Sequence, residues 1–246
     1  MSRKIIVDIG NTRIKYADLE EFTLTNSYQI TPTKDINELI STWTNQEIEQ
    51  IFISNVADID ILNLKNKLSH IEVIEIKGTT PSPLKMEYKT PETLGPDRFL
   101  AAIGAYSEFK GKPILLVDFG TCIKYEVITA DAKYLGGAIS PGLEMRFKAM
   151  NTFTGKLPLM ESQIPQENIL AYGTSTNESM YTGVLQGIIG ELKQFIAQHP
   201  EHNEKLCIIF SGGYAQEFAN YLENHIFVRP NLVLTGLVHI IRYNEY

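Results

Sequence analysis

Apolar, often β-branched residues gather in short runs along this chain, and the runs alternate with stretches whose apolar positions recur at helical spacing. The pattern opens at residues 4–16. Ile5, Ile6 and Val7 read as a buried strand, Asp8-Ile9-Gly10-Asn11-Thr12 as its turn, and Ile14-Lys15-Tyr16 as a returning strand. Short strand material continues over 18–29. Across 35–45, Ile36, Leu39, Ile40 and Trp43 fall at i, i+3, i+4 and i+7, which predicts a helix. Residues 50–56 read as a buried strand, 58–69 as a helix and 71–76 as a strand. Strands alternating with helices predict an α/β layer.

The opening statement is then repeated. Leu115-Leu116-Val117-Asp118-Phe119-Gly120-Thr121 is again an apolar run, an Asp, a bulky apolar residue, a Gly and a hydroxyl, and Ile123-Lys124-Tyr125 re-enters a strand. The second copy is one residue shorter. Two copies half a chain apart make neither a solenoid nor an array. They predict two similar domains, 1–113 and 114–246, facing a shared cleft, with the last helix able to pack back on the first domain.

Between the copies, 77–96 breaks the pattern with Pro81, Pro83, Pro91 and Pro96 and reads as a long, stiffened loop carrying Tyr88. It ends on Gly95-Pro96-Asp97-Arg98 before an apolar helix over 99–109. Asp97 therefore sits at a helix start, where it serves equally as an N-cap or as a catalytic carboxylate. After the second copy come a strand at 134–140, a helix at 143–150 and an irregular stretch at 152–168. The longest helix runs to about residue 197 behind a Ser175/Thr176 cap. A buried strand at 206–210 ends in Ser211-Gly212-Gly213 and a helix. A strand at 226–229 and a helix at 232–243 close the chain.

At 246 residues the chain has room for two domains of ordinary size. A net charge of -7 argues against a nucleic-acid backbone as partner. No apolar run is long enough to span a membrane, and the basic first residues meet Asp8 too soon for a signal sequence. A cytoplasmic protein is expected. Its two cysteines, Cys122 and Cys207, fall in predicted strands and read as reduced thiols. None of the five histidines pairs at useful spacing, and His199 and His202 read as a solvated helix end.

The repeated turn has a legible chemistry. A carboxylate at a strand end, as at Asp8, can hold the water around Mg²⁺. Gly10 lets the backbone turn tightly, so that N–H groups and the Thr12 hydroxyl point at phosphate oxygens. Lys15 is placed to meet a phosphate as a point charge. Gly212-Gly213 between a strand and a helix start suits a nucleotide, weakly when taken alone. One Asp-x-Gly turn is an ordinary hairpin; two with Asp, Gly, Thr and Lys in the same order ask for a shared task.

Taken with Gly95-Pro96-Asp97-Arg98, Gly136-Gly137-Ala138-Ile139-Ser140-Pro141-Gly142 and Ser211-Gly212-Gly213, the paired turns make the chain resemble the type III pantothenate kinases nearly end to end. The resemblance implies two actin-like (ribonuclease H-like) α/β domains around a central nucleotide cleft. It also implies ATP-dependent phosphorylation of pantothenate, the first step of coenzyme A synthesis. By this resemblance Asp8, Gly10, Asn11, Thr12 and Lys15 form the first phosphate motif, and Asp8 organises Mg²⁺ through water. Thr121 contacts ATP, Gly212 and Gly213 lie on its adenosine side, and Asp118 binds a monovalent cation, K⁺ or NH₄⁺. Asp97 is the general base, and Tyr88, Gly95, Pro96, Asp97 and Arg98 form the pantothenate pocket. Thr176 is offered to a neighbouring subunit, which implies a homodimer. The chain departs from the family in carrying Lys124 and Glu126 where small hydroxyl residues and an Asp are usual, a longer, charged pair bearing on the nucleotide or cation site. Thr90 also replaces the Asn before the loop proline. A kinase of the same fold with another hydroxyl acceptor, or a catalytically silent nucleotide-binding regulator, stand as alternatives.

Overall fold

Two strands, β1 (Arg3–Ile9) and β2 (Arg13–Glu20), pair antiparallel from Lys4↔Leu19 to Ile9↔Ile14 and form the first hairpin. This computed structural model describes residues 3–20, 23–24, 28–164, 169–203, 205–222 and 225–246. Parts of two expected stretches, at 21–22 and 25–27 and at 165–168, lie outside the described residues. The chain continues through β3 (Thr23–Leu24), β4 (Gln29–Pro32), α1 (Ile36–Thr44), β5 (Ile48–Asn55), α2 (Ile61–Lys67), β6 (Glu72–Glu75), β7 (Lys85–Met86) and α3 (Pro96–Glu108). Next come β8 (Ile114–Phe119), β9 (Cys122–Ile128), β10 (Lys133–Pro141), α4 (Leu143–Phe153) and α5 (Thr176–Ala197). The last elements are β11 (Cys207–Gly212), α6 (Ala215–Ala219), β12 (Ile226–Val228) and α7 (Leu232–Tyr243).

The chain divides into two compact units. One holds Met1–Lys110, Ala132–Tyr134 and Asn231–Tyr246; the other holds Gly111–Asp131 and Leu135–Pro230. In the first, the strand order is β3-β2-β1-β5-β6, with β4 also on β2. In the second, it is β10-β9-β8-β11-β12. Each central strand has its antiparallel hairpin partner on one side and two parallel strands on the other. The repeat in the sequence is a repeat of topology.

Alternation along the strands builds both faces of the first sheet. Ile5, Val7 and Ile9 of β1, with Ile51 and Ile53 of β5, pack on Ile36, Leu39, Ile40 and Trp43 of α1 and on Leu64 of α2. Trp43 is 1% exposed and meets Tyr16 edge-on at 5.8 Å. Burying side chains of this size contributes about 1.5–3 kcal/mol each. The intervening residues Ile6 and Phe52, both 0% exposed, point to the other face, where α7 contacts β1 and α3 contacts β5.

There α3 and α7 cross at backbone distance. A Cβ on Gly104 would meet Leu232 O at 2.4 Å, and one on Gly236 would meet Leu100 O at 2.0 Å. The last helix is therefore keyed to α3 by two reciprocal glycines. The second unit packs β8, β9 and β11 against α4, α5 and α6, with Phe119 stacked on Phe218 at 4.9 Å and edge-on to Phe210 at 5.0 Å.

Three local expectations change. The loop at 77–96 contains β7, which pairs parallel with the start of β10 (Lys85↔Lys133, Met86↔Tyr134), and a 3-10 turn over Pro91–Thr93. A two-residue strand whose partner lies far along the chain has no local signature. Helix α3 starts at Pro96 with Gly95 as its N-cap, so Asp97 is inside the first turn and is not the cap. Pro at the first helical position is pre-set for that start. His199 is 4% exposed, not solvated: its Nε2 donates to Ile114 O (3.2 Å) and its Nδ1 accepts from Glu201 N (3.1 Å), tying the end of α5 to the start of β8. Cys122 and Cys207 are both free thiols.

Candidate active site

The first hairpin sets Asp8 opposite Lys15, and on its other side Asp8 lies in register with Ser54 of β5. By alternation Asp8 shares the sheet face of Ile6, the face covered by α3 and α7. The turn beyond it is held by its own backbone and by Thr33: Gly10 N donates to Arg13 O (3.0 Å), Thr33 Oγ1 donates to Gly10 O (2.7 Å) and Thr33 N to Thr12 O (3.1 Å). Asn11 and Thr12 stand exposed at its tip, open to a ligand. Lys15 Nζ donates to Asn231 Oδ1 (3.2 Å). Asn231 caps α7 in the left-handed region, with φ of 64°, which Asn adopts more readily than most residues.

At the start of α3, Asp97 is half-buried, and its Oδ1 accepts from Arg98 N at 2.8 Å. Arg98 is buried, with its guanidinium 5.8 Å from the centroid of the Tyr88 ring, and Tyr88 in turn lies 6.0 Å from the Tyr134 ring. Tyr88, Gly95, Pro96, Asp97 and Arg98 are thus one local cluster within the first unit. A cation–π contact of this kind holds a guanidinium plane in place.

In the second unit, the β8–β9 turn carries Asp118 half-buried and Thr121 exposed. Two glycine-bearing segments press against this turn. Gly142 N donates to Thr121 O at 3.1 Å, and a Cβ there would come within 2.5 Å of Gly120 O and Thr121 O. Gly212, with φ of 91°, has no room for a side chain against Phe119, whose carbonyl accepts from Gly213 N at 2.9 Å. Ser211 is in register with Asp118. Asp118, Thr121, Gly212 and Gly213 therefore meet at one end of this sheet. Lys124, opposite Asp118 on β9, places its Nζ 3.0 Å from Asp118 Oδ2.

Thr176 is the first residue of α5, exposed, behind a capping box in which Ser175 Oγ accepts from Glu178 N (3.3 Å) and Glu178 Oε2 accepts from Ser175 N (3.1 Å). Hydrogen bonds from Thr174 and then Ser175 hold the Glu178 carboxyl below its ordinary range.

Sequence reasoning missed three features. Asn231 has only a weak signal, an Asn after a Pro at a helix start. Ser54 Oγ is fully buried with no hydrogen-bond partner among the described residues, beside Asp8 in register. The third is a network on α5: Glu191 accepts from Arg146 Nη2 (2.6 Å), Ser140 Oγ (2.9 Å) and Tyr125 OH (3.3 Å). Burial, and then Glu191, push the Tyr125 phenol well above its ordinary pKa, so it remains a donor. A Glu between Ile188 and Leu192 of the apolar stripe was the available hint.

The two topologically matched units define a two-domain actin-like α/β fold. A Campylobacter jejuni protein described as a conserved Baf family transcriptional activator superposes with a TM-score of 0.68 at 23% identity, covering 98% of each chain. A Sinorhizobium meliloti protein described as a 2-dehydro-3-deoxygalactonokinase superposes with a TM-score of 0.59 at 11% identity, over 98% of this chain and 99% of its own. Residues 4–198 match the family described as type III pantothenate kinase. The type III pantothenate kinase of Christiangramia forsetii is 38% identical over 244 residues, 98% of each chain. The chain belongs to the type III pantothenate kinase family.

Proposed function

We propose that this protein transfers the γ-phosphoryl group of ATP to the hydroxyl of pantothenate, the first step of coenzyme A synthesis. The reading is carried by the family match over residues 4–198 and by a relative 38% identical over 98% of the chain. The hydroxyl oxygen attacks the γ-phosphorus, the bond from that phosphorus to the ADP oxygen breaks, and the hydroxyl proton passes to Asp97. Phosphoryl transfer asks a protein mainly for positioning and for stabilisation of moving charge.

Asp97 is the base, its carboxylate oriented by Arg98 N. General-base help contributes about 10²–10⁴-fold. Arg98 and Tyr88, with the backbone of Gly95 and Pro96, hold the polar parts of pantothenate. Asn11, Thr12 and Lys15 hold phosphate oxygens, and the bond to Asn231 aims the Lys15 ammonium. Thr121, Gly212 and Gly213 serve the nucleotide. The donor set at the first hairpin is all oxygen (the Asp8 carboxylate, the Asn11 amide and the Thr12 hydroxyl), which suits a hard cation. Asp8 would hold Mg²⁺ through water, and the ion when bound neutralises phosphate charge. Asp118 is the residue to which the resemblance assigns a monovalent cation; Lys124 bears on that assignment directly.

The homodimer belongs to the same proposal, with Thr176 offered from the exposed start of α5. Phe153, Leu159, Leu170 and Tyr172, exposed at 85%, 66%, 51% and 76%, provide apolar surface before that helix. Among the described residues no helix is long and apolar enough to cross a membrane, and we place the reaction in the cytoplasm.

The deciding experiment is a coupled assay of ADP formation with pantothenate and a panel of other small alcohols. Pantothenate-dependent turnover that vanishes in Asp97→Asn supports the reading. Turnover with another acceptor alone moves the protein to a different substrate, and ATP bound but intact with every acceptor removes catalysis.

A further inference from the structure

The second hairpin places a cation and a carboxylate face to face. Asp118 and Lys124 are direct cross-strand partners in the β8–β9 register, and such partners have Cβ atoms only about 4.5–5.5 Å apart. Lys124 Nζ closes to 3.0 Å from Asp118 Oδ2, with side-chain exposures of 20% and 22%. The first hairpin has the same pairing, Asp8 opposite Lys15, but a turn one residue longer, and its ammonium reaches the Asn231 amide at 3.2 Å. In the second copy the ammonium reaches the carboxylate itself.

We propose that the Lys124 ammonium is the resident cation of Asp118, standing where the resemblance puts K⁺ or NH₄⁺, so that nucleotide binding and turnover need no added monovalent cation. The inference rests on the reading of this protein as an ATP-dependent kinase. Five points carry it. A monovalent cation on Asp118 would have to share the carboxylate with an ammonium already in contact, and like charges at that range repel. Lysine is a compact point charge, the side chain that most nearly copies such an ion. It is tethered on the adjacent strand, so its local concentration greatly exceeds that of a dissolved salt. The turn is braced by Gly142 N on Thr121 O and by Gly213 N on Phe119 O, which fixes the strand end that carries Asp118. Glu126, two positions along β9 from Lys124 and so on the same strand face, is buried at 1% exposure. Removing the ammonium would leave that face with two carboxylates and a place for a dissolved ion.

The test uses the full chain. Affinity for a non-hydrolysable ATP analogue with Mg²⁺ is measured by calorimetry in tetramethylammonium, potassium and ammonium chloride at equal ionic strength, beside pantothenate-dependent ADP formation in the same salts. The wild-type protein is expected to vary by less than about threefold in both. Lys124→Ala is expected to lose about tenfold or more in affinity in tetramethylammonium and to recover it in potassium or ammonium, whereas Lys124→Arg stays indifferent to the salt. A wild-type protein that gains more than threefold from K⁺ or NH₄⁺ overturns the proposal. So does a Lys124→Ala protein that binds equally in all salts, or whose loss neither ion repairs. If circular dichroism shows Lys124→Ala unfolded, the wild-type series decides alone. Absence of pantothenate-dependent turnover in every salt defeats the kinase reading, while the binding series still judges Lys124.

Discussion

Lys15 Nζ and Asn231 Oδ1 lie 3.2 Å apart although 216 positions separate them in the chain. The bond ties the first hairpin to the N-cap of the last helix, and that helix is seated by Gly104 and Gly236 against α3. One amide so links Lys15 to α7, which packs on α3, the helix that carries Asp97.

Asn231→Gly keeps the left-handed backbone and deletes the amide. A hydrogen bond to a charged group is worth about 1.5–3 kcal/mol. The KM for ATP is expected to rise about tenfold with little change in melting temperature. An unchanged KM would show that Lys15 needs no such positioning.

Asp97→Asn keeps an acceptor for Arg98 N and removes the carboxylate proposed as the base. Turnover should fall about 10²–10⁴-fold, with the thermal midpoint within a few degrees of wild type. Stopped turnover accompanied by a large loss of stability would instead mark Asp97 as structural.

Gly236→Ala forces a methyl to within 2.0 Å of Leu100 O, a backbone atom that cannot swing aside. Overpacking of this kind typically costs 1–3 kcal/mol, and more where backbone must move. Urea denaturation should show the drop, and Gly155→Ala, with nothing within 4 Å, should not.

Acid should weaken the fold through His199. Burial holds its pKa below the ordinary value, the bond to Ile114 and the charge of Glu201 opposing and His202 assisting. The unfolded ring takes up a proton near pH 6.5 while the folded ring resists. Stability is therefore complete above about pH 6.5 and declines as pH falls toward the lower folded value. His239, lowered by burial, Lys110 and Arg242, acts in the same sense. Denaturation midpoints at pH 8 and pH 5.5 should differ less in His199→Gln than in the wild type; equal differences would clear His199.

Strand and helix identities came through from pattern because burial imposes a period on each element. Ile36, Leu39, Ile40 and Trp43 fall on one buried stripe, and the helix over Leu232–Tyr243 has the expected bounds. Ends were softer. Asp97 read as a possible cap until Pro96 proved to be the first helical residue, a choice between adjacent starts that local preference does not resolve. His199 read as solvated because nothing near it in the chain announces that Ile114 O waits for its ring.

By itself the sequence determined the doubled Asp-Gly-Thr turn, the alternation of strands and helices, and the motifs that mark the family, because these are written in neighbouring residues. Only the tertiary structure decided that Lys15 bonds Asn231, that Lys124 meets Asp118, and that the final helix locks onto α3. Those outcomes depend on register and on close backbone approach between distant segments, and no short-range pattern encodes which ammonium meets which oxygen.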